Sequence, residues 1–311
     1  MSAKSSAPLV ALEALDTVWF QVAGTRCNLS CSHCFISCHP KNDAFGFLSL
    51  AEVRRHLAEA ERLGVREFYF TGGEPFLNKE MVPILEAALA IAPSTVLTNG
   101  TVLKSAWLER LRAAEAAGPY SLEFRVSIDG PDAATNDPVR GEGTFEKALR
   151  GVGQLVEHGF APILTMTRIW DEGEDAAVLA AFTWRLREVG YERPRIKLLP
   201  RLRIGAEAER TEGYDATERV SREMMVGFDA RQLVCRSSRC VSDRGVHVCP
   251  ILLEADDGLL GDRLDSALQP FALSHGACYT CWQYGSICSN VNLPAATTER
   301  PANEHAGGVA I

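Results

Sequence analysis

Six β-like runs, at residues 17–24, 65–71, 94–98, 121–128, 160–167 and 194–199, alternate with helical stretches of 3.6-residue apolar period. Each run is rich in Val, Ile, Phe or Tyr and is bounded by Gly, Pro or Asn. Six β-then-α units demand a parallel sheet with right-handed crossovers, either a doubly wound sheet or a barrel. Three helices are legible in detail. One starts on the capping-box pair Ser49 and Glu52 and closes at Gly64. A second runs from Thr144 to Gly159, and a third carries Val178, Phe182, Leu186 and Val189 before Gly190. In either architecture ligands collect at the carboxyl ends of the strands, so the loops there are where chemistry is expected. At 311 residues the chain has room for about two domains, or one barrel plus an appendage.

The ten cysteines fall in two groups: Cys27, Cys31, Cys34 and Cys38, then Cys235, Cys240, Cys249, Cys278, Cys281 and Cys288. No signal peptide is evident before residue 16, so the default compartment is the cytoplasm, where thiols stay reduced and disulfides are unexpected. Two tight groups of reduced thiols read as two metal sites. The first run leads directly into Cys27-Asn-Leu-Ser-Cys31-Ser-His-Cys34. Three thiolates on one four-iron cluster leave one iron open to a ligand. A structural zinc with Cys38, His33 or His39 as fourth ligand is the competing reading of the spacing.

The next strand ends shift that balance. The second run ends in Thr71-Gly72-Gly73-Glu74-Pro75, where paired glycines admit a close ligand and a carboxylate can hold an ammonium group. The third ends in Thr98-Asn99-Gly100 and the fourth in Ser127-Ile128-Asp129-Gly130, short polar groups suited to a ribose. Each is an ordinary turn taken alone. Four in succession, all at carboxyl ends, are not.

With these motifs the region 17–204 resembles the radical S-adenosylmethionine (radical SAM) enzymes, whose hallmark is this cysteine spacing followed by a Gly-Gly-Glu-Pro-like turn. The resemblance implies an α/β fold: a partial (β/α)6 TIM-like barrel with a small cysteine-rich C-terminal metal-binding extension. It implies a 4Fe–4S cluster on Cys27, Cys31 and Cys34, whose fourth iron is chelated by S-adenosylmethionine. Gly72, Gly73 and Glu74 match the methionine-amine contacts, and Ser127 and Asp129 the ribose or carboxylate contacts, with Asn99 nearby. Arg140 is a partner for the methionine carboxylate, and His33 stands where the family often has an aromatic leaning on adenine. Cys38 has no place in the pattern and reads as an ordinary loop thiol. The implied chemistry is one-electron cleavage of S-adenosylmethionine to a 5′-deoxyadenosyl radical that abstracts hydrogen, with an external flavodoxin- or ferredoxin-like electron donor.

The later cysteines, Cys235-x9-Gly245-x3-Cys249, Cys278-x2-Cys281 and Cys288, resemble the SPASM/twitch extension of the same family. Six thiols are too few for two all-cysteine four-iron clusters, so one auxiliary 4Fe–4S cluster is expected, on Cys235, Cys249, Cys278 and Cys281. Cys240 or Cys288 can replace one of these, and from spacing alone zinc is equally good. The expected organisation is a lead-in at 1–16, the barrel at 17–204, a charged, helical connector at 205–230, a strand-poor auxiliary domain at 231–288 and a disordered tail at 289–311.

A net charge of −8 argues against nucleic acid as the main partner, and no apolar run reaches the ~18 residues of a membrane span. Arg193, Arg195, Lys197, Arg201 and Arg203 crowd the sixth strand and its exit. They form either a solvated edge or a barrel-mouth site for a phosphate or carboxylate. The acidic run 171–175 suits a helix N-terminus. Trp170, Trp282 and Tyr284 are candidate cavity residues. The short segment before residue 17 leaves no room for a fused peptide-recognition domain, which favours a small polar metabolite over a ribosomal peptide. A non-catalytic iron–sulfur or zinc scaffold is the reading from another class, and it leaves 72–75 unexplained.

Overall fold

Thr17, Trp19 and Gln21 project to one side of an extended segment, Val18 and Phe20 to the other, and all five are buried. A strand covered on both faces belongs in the interior of a parallel sheet. The computed structural model describes residues 7–285 and 287, and assigns them eleven strands and eight α-helices. In chain order these are β1 (Leu9–Val10), β2 (Thr17–Gln21), α1 (Leu50–Arg62), β3 (Glu67–Thr71), α2 (Met81–Leu89), β4 (Ser94–Thr98), α3 (Ser105–Ala117) and β5 (Leu122–Ser127). Then follow α4 (Ala133–Arg140), α5 (Thr144–Glu157), β6 (Ile163–Thr167), α6 (Asp175–Glu188), β7 (Arg195–Leu199) and α7 (Ala206–Thr211). The chain continues with β8 (Ser238–Ser242), β9 (Gly245–His247), β10 (Leu259–Gly261), β11 (Phe271–Ala272) and α8 (Gly276–Tyr284).

Strands β2 to β7 are parallel, neighbour to neighbour in sequence order, with at least one helix in every crossover. This is the open partial barrel that the family resemblance implies. Alternation divides each strand. The helix-facing residues, among them Phe20, Phe70, Val96, Phe124, Val126 and Leu164, form one apolar core with the helices. Burying each large side chain of this set contributes roughly 1.5–3 kcal/mol. The opposite face carries Trp19, Gln21, Thr71, Arg125, Ser127 and Thr165, a mixed polar row that lines a cavity. The Ser49–Glu52 capping box opens α1, and Asp171 with Glu174 forms a second one in the turn before α6.

The C-terminal region departs from expectation. It is not strand-poor: β8 pairs in parallel with β2, and β9 and β10 extend the sheet antiparallel, giving nine strands in the order β10-β9-β8-β2-β3-β4-β5-β6-β7. The hairpin turn also grips the loop after β2, since Asp243 accepts from the Gly46 N–H at 2.8 Å and Arg244 donates to the Ala44 carbonyl. The lead-in is built in as well, with β1 pairing antiparallel to β11. The cysteine-rich segment nevertheless has an apolar core of its own, around Leu233, Val248, Ile251, Phe271 and Leu273. Of the connector only α7 is α-helical; its remainder is irregular or in short 3₁₀ turns. Cys288 and the tail from 289 lie outside the described residues.

Candidate active site

The loop that follows β2 is held by the turn that follows β3. Gly73 donates its N–H to the Gly24 carbonyl at 3.0 Å, and Glu74 donates to the Arg26 carbonyl at 2.9 Å. Gly72 sits at φ +134, and a Cβ on Gly73 would lie 1.9 Å from the Arg26 oxygen. Both glycines are therefore dictated by backbone contact with the cysteine loop. On that loop Cys27 is buried, and Cys31 and Cys34 are partly exposed. Donors converge on the sulfurs: Leu29 N–H on Cys27 at 3.4 Å, Asn99 Nδ2 on Cys27 at 3.8 Å, and Cys38 N–H on Cys34 at 3.3 Å. Burial pushes the Cys27 thiol up to about 12, while a hydrogen bond from the Cys38 side chain holds Cys34 below its ordinary value.

These thiols line a cavity of about 230 Å³ at the carboxyl ends of the strands. Gly72, Gly73, Asn99, Ser127, Arg140 and His33 line it too, which brings most of the motif residues to one place. Glu74 and Asp129 are the exceptions. Glu74 is fully buried; its carboxylate accepts from Phe76 N–H at 3.1 Å, Thr98 Oγ1 at 2.8 Å and Asn99 N–H at 2.7 Å. It ties β3 to β4 rather than lining the cavity, and burial raises it to about 7. Asp129, also fully buried, accepts from Arg140 Nε at 2.5 Å and the Thr167 N–H at 2.6 Å, and its Oδ2 lies 2.7 Å from His33 Nε2. Desolvation opposes its charge, but Arg140 and His33 outweigh it and hold the carboxyl far below the usual range. Asp129 thus positions two cavity residues and does not itself line the cavity.

Other residues differ from the sequence expectation. Cys38, read from the sequence as an ordinary loop thiol, is buried, lines the same cavity and donates its N–H to Cys34. Trp170 and Trp282 are engaged elsewhere, donating to Asp175 at 2.8 Å and to the Met224 carbonyl at 3.1 Å. Neither they nor Tyr284 line the cavity, whereas Trp19 does, stacked on Tyr69 at 4.3 Å. Period-two alternation within 17–24 was the available signal for Trp19. Arg195 pairs with Glu123 at 2.7 Å and Arg203 with Glu218, while Arg201 lines the cavity.

Cys235, Cys249, Cys278 and Cys281 line a second, apolar cavity of about 20 Å³. Burial raises the first three, Cys235 to about 12, so a metal there must displace protons. Cys240 is elsewhere, on β8 in an apolar group with Trp19, Cys27 and Cys38. Fully buried Arg239, which the sequence reading missed, donates to the carbonyls of Cys235, Ala267 and Gln269 at 2.5–2.8 Å and pins the segment bearing the first thiol. Ile251, two residues after Cys249, lines both cavities and forms the wall between them. Among the described residues no three His, Cys, Asp or Glu side chains converge as a single metal ion requires. Also among the described residues, no helix is long and apolar enough to cross a membrane.

Sequence comparison matches residues 22–171 to the Radical SAM superfamily. A probable GTP 3′,8-cyclase of Methanosarcina mazei is 32% identical over 146 residues, 44% of this chain and 41% of that protein. The mycofactocin maturase MftC of Mycobacterium ulcerans is 33% identical over 136 residues, 43% of this chain and 35% of that protein. The chain thus spans about two fifths of the length of these relatives. Among solved structures, Streptococcus suis SuiB bound to precursor peptide SuiA superposes with a TM-score of 0.60 at 15% identity, over 84% of this chain and 66% of SuiB. At that identity the likeness is one of fold.

Proposed function

We propose, from the premise that this chain belongs to the radical SAM superfamily through residues 22–171 and is an enzyme of that class, that it oxidises a small polar substrate held where the barrel meets the C-terminal region. A ribosomal peptide is the second reading, favoured by the likeness to MftC and to peptide-bound SuiB. Enzyme membership sets aside the non-catalytic scaffold.

The observation that carries the proposal is the shared cavity. Four thiols of one loop and the polar ends of five strands stand on one side, and Pro250, Ile251 and Ile287 of the C-terminal region on another. The donor set fits a 4Fe–4S cluster on Cys27, Cys31 and Cys34, with N–H groups already aimed at two of the sulfurs. When bound, the cluster and S-adenosylmethionine supply one-electron cleavage to a 5′-deoxyadenosyl radical and hydrogen abstraction, with the electron from a flavodoxin- or ferredoxin-like donor. This chain's residues bind and orient. Arg140, aimed by Asp129, offers its remaining guanidinium donors to the methionine carboxylate. The Gly72–Gly73 backbone lies open to the methionine amine, and Ser127, near Thr165 at 3.3 Å, is a hydroxyl partner for the ribose, with Asn99 beside it holding Cys27 and Asn28. His33, locked on Asp129, supplies a fixed ring for adenine. Apolar Leu29, Phe35, Ile36 and Leu97 exclude water from the reacting atoms.

We assign the second site to one auxiliary 4Fe–4S cluster in a twitch-like extension. Four thiols on one cavity are the number that fully ligates a four-iron cluster. Ile251 lines both cavities, which supports reading the second site as an electron acceptor for the first. The test is anaerobic reconstitution with iron and sulfide, then dithionite and S-adenosylmethionine, with iron and 5′-deoxyadenosine quantified. About eight irons per chain and deoxyadenosine are expected. About four irons with turnover would overturn the auxiliary cluster, and full loading without deoxyadenosine under any reductant would overturn the function.

A further inference from the structure

Arg168, Arg195, Arg201 and Arg203 lie on β7 or just beyond β6 and β7, and all but Arg201 are neutralised. Arg168 is gripped by Glu172 and by Asp175, the latter at 2.7 Å. Arg195 is paired with Glu123 and Arg203 with Glu218. Arg201 lies between these two in sequence, on the segment 199–202 that leaves β7 along the cavity wall. It is exposed and has no ion-pair or hydrogen-bond partner among the described residues. An unpaired arginine on an open surface means little, but Arg201 also lines the cavity, where arginines outnumber carboxylates.

Three arginines line the cavity, Arg125, Arg140 and Arg201, against one carboxylate, Glu207. Arg140 is already matched by Asp129, and Arg125 lies at the floor with its guanidinium 5.1 Å from the Tyr69 ring. Glu207 is fully committed: its two oxygens accept from Arg210 at 2.8 and 2.9 Å in a bidentate pair. No carboxylate of the lining is therefore free to satisfy Arg201, although the whole chain carries 40 acidic residues against 32 basic ones. A cleft with low-dielectric walls concentrates such a field on whatever enters it. The walls beside Arg201 are apolar: Leu199, Pro200 and Leu202 on its own segment, Pro250 and Ile251 across the opening.

We propose that Arg201 is the recognition group for an anionic substituent of the substrate, a carboxylate or a phosphate. This rests on the reading of the cavity as the substrate site of a radical SAM enzyme. A planar fork of donors at the rim and an apolar wall beneath suit a molecule whose charged end docks at the mouth while its carbon skeleton reaches inward.

The test labels arginines with phenylglyoxal in the reconstituted wild-type protein, saturated with S-adenosylmethionine and without reductant, and follows each arginine by peptide mass spectrometry. Inorganic phosphate and acetate are the probes, each compared with chloride at matched ionic strength. Arg54, exposed and likewise unpartnered among the described residues, is the internal control. Labelling at Arg201 is expected to slow about three-fold at two-thirds occupancy, with Arg54 unchanged. Stronger protection by phosphate points to a phosphate ester, and by acetate to a carboxylic acid. Protection of neither residue, or of both equally, overturns the assignment. Deoxyadenosine formation measured on the same preparation distinguishes this outcome from failure of the functional reading, because it does not depend on Arg201 binding an anion.

Discussion

Replacing Gly73 with Ala places a methyl carbon 1.9 Å from the Arg26 oxygen, 2.3 Å from the Arg26 carbonyl carbon and 2.8 Å from the Cys27 nitrogen. Ordinary contact begins near 3.4 Å, so one of the two backbones must retreat by about 1.5 Å. None of the obstructing atoms belongs to a flexible side chain. The retreat also breaks the Gly73-to-Gly24 and Glu74-to-Arg26 hydrogen bonds. Overpacking costs about 1–3 kcal/mol, and each lost bond about 1 kcal/mol, a total of roughly 3–5 kcal/mol. The melting temperature of the metal-free chain should fall by roughly 5–8 °C. The sharper consequence is local, because Cys27 moves with Arg26 and a metal–sulfur bond does not stretch by ångströms. After anaerobic reconstitution Gly73→Ala should hold about four irons instead of about eight and form no deoxyadenosine. The four that remain should be those of the C-terminal thiols. A variant that melts within about 1 °C of the parent, loads fully and cleaves S-adenosylmethionine would refute the claim that glycine is required by contact with the cysteine loop.

Asp129→Asn leaves buried Arg140 without its counter-ion and should cost about 3–5 kcal/mol in urea unfolding, together with a weaker equilibrium affinity for S-adenosylmethionine. Because the Asp129 carboxyl is held below its ordinary 3.8, its contribution is complete above that value and fades only in stronger acid. The gap between parent and variant should therefore stay constant from pH 5 to 8, and a gap that closes toward pH 5 would contradict the pairing. Glu74 has the opposite sign. With its folded value raised from 4.5 to about 7, the folded state keeps the proton longer, so stability is greatest below 4.5 and declines as pH rises through 7. Denaturant midpoints across that range should lose this slope in Glu74→Gln; a parent whose midpoint rises with pH would show that the hydrogen bonds, not burial, dominate.

The barrel was readable because each strand carries its own local signal. Residues 94–98 match β4 at both ends, and the Ser49–Glu52 pair marks the start of α1 to the residue. The predicted bounds of 17–24 and 160–167 overshoot because Val22, Ala23 and Phe160 are apolar loop residues buried by tertiary packing. Strands β8 and β9 were invisible for the opposite reason. Ser-Arg-Cys-Val-Ser and Gly-Val-His have no apolar alternation, and they are strands because β2 offers a free edge and Arg239 finds carbonyl partners. At the site, motif spacing located the thiols and the glycine turn, since those depend on consecutive residues. It could not tell which polar side chains meet a ligand and which hold the others. Glu74 and Asp129 sit in the motifs, yet their oxygens are taken up by residues from other strand ends. Cys240 was separated from the auxiliary thiols only by the parallel register that sets it beside Trp19.

The pairing of β2 with β8 joins Thr17 to Ser238, 221 positions apart in the chain. Closing so long a loop is entropically slow, and the pairing must wait until the C-terminal segment has been synthesised. Until then β2, the strand that leads into the first cysteine loop, presents an open row of amides and carbonyls, the kind of edge that invites intermolecular pairing. Truncation before residue 238 therefore removes more than the second set of thiols. It leaves β2, the first strand of the barrel, as an uncovered border, so a shortened chain should collect as aggregate rather than as a smaller enzyme.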